Sequence, residues 1–158
     1  MPAEPIYRTP IDPQWIDYNG HLRDAYYGLI LSLATDALMD RLGMDAPYRE
    51  RTRFTLYTVE MHIHYLREVH KSDVVVVNAA ILGSDTKRIH AALQLGCEGR
   101  AEPAAAAEIM LLHIKQGDTP AVAPFAPDIA RAIEQFREQS AGTPVGPGSR
   151  QMALRSRP

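Results

Sequence analysis

The chain has 158 residues, 46% of them hydrophobic and 23% charged, with a formal net charge of -2, an ordinary composition for one globular unit with its own core. So small a charge leaves no broad basic surface, which excludes nucleic acid or an anionic membrane as the main partner and asks an anionic ligand to find a local basic site. The single cysteine, Cys97, excludes an intrachain disulfide framework, no apolar run nears the roughly 20 residues of a membrane span, and the first residues lack a secretory pattern, so a cytoplasmic compartment is expected.

Ile6 to Ile11 reads as a short strand, and Asp12-Pro13 and Asn19-Gly20 mark turns on either side of Trp15. From Asp24 to Leu42, Tyr26, Ile30, Leu33, Ala34, Ala37 and Leu38 keep helical spacing, while Leu29 and Leu31 widen the stripe. This predicts a mostly buried helix, ended at Gly43. The period then changes to two. Between Phe54 and Arg67 the apolar residues Tyr57, Val59, Met61, Ile63 and Tyr65 alternate with Thr58, Glu60, His62 and His64, which predicts a long strand with one buried side. Val74 to Leu82 and Ile89 to Cys97 flank the turn-like GSDTK and form a hairpin. In Glu102 to Gly117, Pro103, the alanines at 104 to 107 and the closing glycine favour helix by propensity and capping. Pro127 to Gln139 is a second helix, with Ile129, Ile133 and Phe136 on one stripe. Gly142 to Pro158 holds almost nothing to bury. One domain over residues 1–139 and a disordered tail over 140–158 are expected.

The stretch DYNGH, Asp17 to His21, stands directly before the long helix. Asn-Gly is a turn signal, and Asp and Asn commonly satisfy free amides near a helix start, so a structural reading is available. The order of short strand, this motif, long buried helix and antiparallel strands resembles the hotdog fold. That fold is α+β, a curved antiparallel sheet of about five strands wrapped around one long central helix, here with a C-terminal helix added. Within it the chain is similar to the acyl-CoA thioesterases of the 4-hydroxybenzoyl-CoA thioesterase type, and most of all to their betainyl-CoA group. The resemblance covers about residues 5 to 137 and is carried by DYNGH, ATDALMDRLG, YTVEMHIHYLRE, LGSDTKRIH and EIMLLHI. Leu22 and Arg23 depart from the WIDYNGHMNDAYY pattern of that group, and the Arg23 departure bears on substrate choice more than on fold. The resemblance also implies a final strand over Ala104 to Ile114, against the local propensity.

What the resemblance implies about chemistry fits the residue types. Thioester hydrolysis needs a group that delivers or activates a nucleophile and donors for the developing oxyanion. Asp17 stands at the family's acid position, to attack directly or to act as general base on a water. Backbone N–H groups near Arg23 and Asp24, at the positive end of the helix, would polarise the thioester oxygen. Asn19 and His21 would orient water or substrate, with Gly20, in the turn between them, a substrate-binding candidate. Glu60 is the candidate second acid, facing the helix start across a subunit interface. The row Glu60, His62 and His64 reads first as a solvated face and next as part of the active site, with His62 a substrate-binding candidate; a zinc site formed by the His pair with Glu60 is the least favoured reading, and no metal is expected. Lys87 and Arg88, with Arg67 and Lys71, are candidates for CoA phosphates. Trp15, Tyr18, Tyr26 and Tyr27 could meet a quaternary ammonium group through their faces or could be core packing. No cofactor is expected; the partners are an acyl-CoA substrate and a second copy, as homodimer or dimer of dimers. A hotdog hydratase or dehydratase, and a non-catalytic acyl-CoA-binding module, are the alternative functions.

Overall fold

The computed structural model describes residues 4–146 together with Met152 and Leu154. In chain order it contains β1 (Tyr7–Pro10), a 3-10 turn (Pro13–Trp15), α1 (Asp24–Arg41), α2 (Ala46–Thr52), β2 (Phe54–Tyr65), β3 (Val74–Ser84), β4 (Arg88–Cys97), β5 (Ala105–Lys115), the short β6 (Ala121–Val122) and α3 (Pro127–Ser140). The sheet is antiparallel, ordered β1-β3-β4-β5-β2, with β6 added at the end of β5. Its inner face closes on α1, whose Ile30, Leu31, Ala34 and Leu38 are fully buried among Val75, Val77, Ile89, Leu93, Leu95, Ile109 and Leu111. Each fully buried Leu or Ile contributes roughly 1.5–3 kcal/mol. A helix buried on so many sides needs apolar residues beyond a single stripe, which is why Leu31 interrupts the simple pattern.

The alanine-rich segment is a strand, not the helix that propensity favours. β5 lies between β2 and β4, pairing Ala105 with both Tyr65 and Leu95, and Ala107 with both Ile63 and Leu93. A helix there would leave two neighbouring strands with unpaired edges inside the sheet, a cost far above the few tenths of a kcal/mol per residue that separate propensities. The small side chains also serve the outer face. A Cβ built on Gly146 would come 2.6 Å from the Ala106 Cβ, so glycine and alanine together let the C-terminal segment lie against β5.

The expectation of one buried side for Phe54 to Arg67 holds only in part. The strand ends at Tyr65, and a bulge between Thr58 and Glu60 resets its alternation. Met61 and Ile63 pack on the core, but Tyr57, Val59 and Tyr65 are 40%, 55% and 55% exposed. β2 is an edge strand, so among the described residues its outer rim pairs with no further strand. Helix α2 was not anticipated. It starts where the Asp45 side chain accepts from the Tyr48 N–H at 3.0 Å and ends at Arg53 in the left-handed region, φ 64°. Of the segment expected to be disordered, residues 147–151, 153 and 155–158 lie outside the described residues. Met152 is 7% exposed.

Candidate active site

The DYNGH stretch folds as a closed loop at the start of α1. Ile16 and Leu22 form an isolated bridge, the Asp17 N–H donates to the His21 carbonyl at 2.8 Å, and the Gly20 N–H donates to the Asp17 carbonyl at 3.1 Å. Gly20 has φ 81°, a conformation that strains any residue with a Cβ. The Asp17 carboxylate is fixed from one side only. Its Oδ1 accepts the Asn19 N–H at 2.8 Å and the His21 N–H at 3.2 Å, and no described residue bonds Oδ2. The His21 amide, opposed in part by desolvation and helped by the Asn19 amide, holds the carboxyl below its ordinary value. The result is an ionised carboxylate with one oxygen tethered and the other open.

The donors expected at the helix start are fewer than two. The Arg23 N–H is already taken by the Trp15 carbonyl at 2.9 Å, which corrects its place in the oxyanion set. The Ala25 N–H goes to the Asp24 side chain at 2.9 Å and the Tyr26 N–H to the Arg23 carbonyl at 2.9 Å. The Asp24 N–H finds no acceptor among the described residues. It sits in the first turn, where the helix presents partial positive charge.

Asp17, His21, Arg23, Asp24 and Tyr27 line a groove of about 620 Å³ with Tyr18 and Leu22, and its other wall is Tyr65 to Glu68. The Leu22 N–H donates to the Val69 carbonyl at 2.8 Å, and His21 and His70 are bridged, their rings edge to face at 5.2 Å. Arg100 fixes that second loop, reaching Asp73 at 2.7 Å, the Glu68 carbonyl at 3.2 Å and His70 Nδ1 at 3.3 Å. A guanidinium can only donate, so in that contact Nδ1 of His70 is the acceptor. The Tyr27 hydroxyl donates to the Arg67 carbonyl at 3.2 Å, and burial pushes it up to about 12. Sequence reasoning did not single out Glu68 or His70. They lie in an irregular loop that only the fold carries to DYNGH.

Other expected residues sit elsewhere. Trp15 stacks on Tyr26 with centroids 5.6 Å apart, and both pack on the core, away from the groove lining. Asn19 and Gly20 shape the turn. Glu60, His62 and His64 alternate with the core-packed Met61 and Ile63, so they point from the sheet face away from α1. There Glu60 accepts from or pairs with His62 Nε2 at 2.8 Å, and His62 stands in register with Glu108. Within one chain Glu60 does not face the helix start. No three His, Cys, Asp or Glu side chains converge as a metal cage among the described residues. Lys87 precedes and Arg88 begins β4 at the end of the sheet opposite the groove; the groove residue Tyr65 is level with Leu95 through Ala105, roughly 23 Å along β4 from Arg88. Arg88 is held by Asp85 at 2.6 and 2.8 Å. No described helix is long and apolar enough to cross a membrane.

The fold and the loop define a hotdog-type thioesterase domain. A model of the thioesterase-like superfamily matches residues 11–133, and the chain belongs to that superfamily. It is 42% identical over 142 residues to the betainyl-CoA thioesterase of Pseudomonas aeruginosa, covering 90% of this chain and 89% of that protein. It is 37% identical over 139 residues to the L-carnitine dehydrogenase/betainyl-CoA thioesterase of Agrobacterium fabrum, of which it spans 28%. A Staphylococcus aureus protein solved in complex with CoA superposes with a TM-score of 0.81 over 98% of both chains at 26% identity.

Proposed function

We propose that this thioester hydrolase acts on acyl-CoA, with betainyl-CoA as the preferred substrate, releasing the free acid and CoA. The observation that carries the reading is the Asp17 carboxylate, tethered through Oδ1 and open at Oδ2, in the same groove as Asp24, whose N–H has no acceptor among the described residues. The relative in Pseudomonas aeruginosa supports the choice of acyl group. The thioester oxygen sits at the Asp24 N–H, where developing negative charge meets the helix start. Oδ2 attacks the carbonyl carbon, the C–S bond breaks with its electron pair leaving on CoA, and water then hydrolyses the mixed anhydride and restores the carboxylate. Held below its ordinary value chiefly by the His21 amide, Asp17 is ionised at neutral pH, the form that direct attack needs. Thiol release should be fastest with betainyl-CoA among short, long and aromatic acyl-CoA substrates. Failure to release thiol from any acyl-CoA would exclude hydrolysis. A single turnover in 18O-labelled water checks the attack: label found in Asp17 requires the anhydride, with water attacking the Asp17 carbonyl, whereas an enzyme that neither gains label there nor yields an Asp17 hydroxamate on quenching with hydroxylamine excludes it.

The working unit is proposed to be a homodimer or dimer of dimers in the cytoplasm, where CoA thioesters are found. The unpaired rim of β2, with exposed Tyr57 and Val59, is the edge a second copy would cover. Pairing there would also bring a partner's Glu60 and hairpin cations nearer the groove. Light scattering at micromolar concentration should give at least a dimer, and Val59→Arg should shift it toward monomer. A wild-type monomer would exclude the shared site.

A further inference from the structure

The groove wall carries a feature that thioester hydrolysis alone does not require. Tyr65, the last residue of β2, is 55% exposed and lines the groove. Its hydroxyl lies 3.5 Å from the Asp24 carbonyl, so its ring stands beside the helix start. Tyr27 meets it edge to face, centroids 5.2 Å apart and planes at 85°. Tyr27 is itself anchored through its hydroxyl to the Arg67 carbonyl. The two rings make a corner, and Glu68 lines the same groove.

The charge around that corner favours a cation. Asp17, Asp24 and Glu68 line the groove against Arg23 and Arg67, and Arg67 is occupied by Glu102 at 2.6 Å. The positive end of α1 opposes a cation, and the Asp24 carboxylate in its first turn offsets that. A quaternary ammonium has no N–H to donate, so aromatic faces and diffuse negative charge are its means of recognition. With the thioester oxygen at the Asp24 N–H, an ammonium one methylene from the carbonyl falls beside the residue that Tyr65 touches.

We infer that the Tyr65–Tyr27 corner, with Glu68, is the subsite that selects an acyl group carrying a quaternary ammonium. The assignment rests on the betainyl-CoA reading above. The test is the ratio of kcat/KM for betainyl-CoA to that for 3,3-dimethylbutanoyl-CoA, its neutral carbon isostere, so that shape is constant and only charge differs. The wild-type ratio should exceed about tenfold, and Tyr65→Leu should lower it about five- to tenfold, the effect of a cation–π contact that is only partly desolvated. Tyr65→Phe should keep the ratio because the ring face remains. Glu68→Gln should lower it a few-fold, since the carboxylate is exposed to solvent. Tyr65→Thr, a good strand former at an edge, supplies a second non-aromatic version if Tyr65→Leu does not fold. A wild-type ratio near one overturns the substrate reading itself. A high wild-type ratio that survives loss of the Tyr65 ring overturns the subsite and leaves the substrate reading standing.

Discussion

Asp17 and Asp85 sit at opposite ends of the sheet in nearly the same local turn. At Asp17, Oδ1 accepts the N–H groups of residues 19 and 21; at Asp85, Oδ1 accepts those of residues 87 and 88, at 3.0 and 2.7 Å. The second oxygen separates them. At Asp85 it is gripped by the Arg88 guanidinium at 2.6 and 2.8 Å, whereas at Asp17 it opens on a groove. Both carboxyls are held below their ordinary values by different balances. At Asp17 the His21 amide leads; at Asp85 partial burial pushes upward and is outweighed by Arg88 and the two amides. An acid in a turn is structural or reactive according to what its other oxygen meets.

The surroundings repeat the contrast. Near Asp85, His113 is fully buried between the rings of Phe54 and Phe125, with centroids at 4.8 and 4.6 Å, and its Nδ1 lies 2.8 Å from the Ala123 carbonyl. That end of the sheet is packed shut. The groove end keeps its polar groups solvent-accessible and its walls on two loops tied by the Leu22–Val69 hydrogen bond and the His21–His70 bridge.

The largest expected effect falls on the open acid. Asp17→Asn preserves size and turn-forming ability, so kcat should fall on the order of 100-fold or more with the fold intact; near-normal kcat in a folded variant would make DYNGH only a turn. His113→Ala should do the reverse, costing roughly 2–4 kcal/mol in denaturant unfolding through the cavity and the orphaned carbonyl, with kcat of the folded fraction near wild type. Burial holds the His113 pKa below its ordinary value, opposed by the Ala123 carbonyl bond. The unfolded chain therefore takes the proton first, and stability present above about pH 6.5 should decline as pH falls toward the folded pKa. Urea midpoints at mildly acidic and neutral pH should show that slope, and His113→Phe should flatten it. Asp17 and Asp85, also depressed, lose their contributions in a separate window, below about pH 3.9. The smallest effect belongs to Asp85→Ala, about 1 kcal/mol or less in stability with no change in thiol release. A large loss of activity there would mean that the Lys87–Arg88 end meets substrate.

Local pattern determined much of this molecule. The apolar spacing of 24 to 42 made α1, the β-branched run at 74 to 77 and the alternation at 89 to 97 made the hairpin, and D-x-N-G-H made a tight turn at a helix start, because each depends on residues within one or two turns of chain. The alanine run at 104 to 107 could not be settled that way. Its helix preference is small per residue, and the strand follows from two flanking strands that need partners. Likewise, nothing near Glu68, His70 or Tyr65 marks them as neighbours of Asp17. The pairing of Leu22 with Val69 and of β2 with β5 puts them there. Alternation on β2 predicted Tyr65 to be buried; it keeps the face of Met61 and Ile63 but, as the last residue of the strand, it faces the groove. Sequence fixes side-chain types and local turns; which carboxylate oxygen stays open, and what stands opposite it, depends on contacts between residues far apart in the chain.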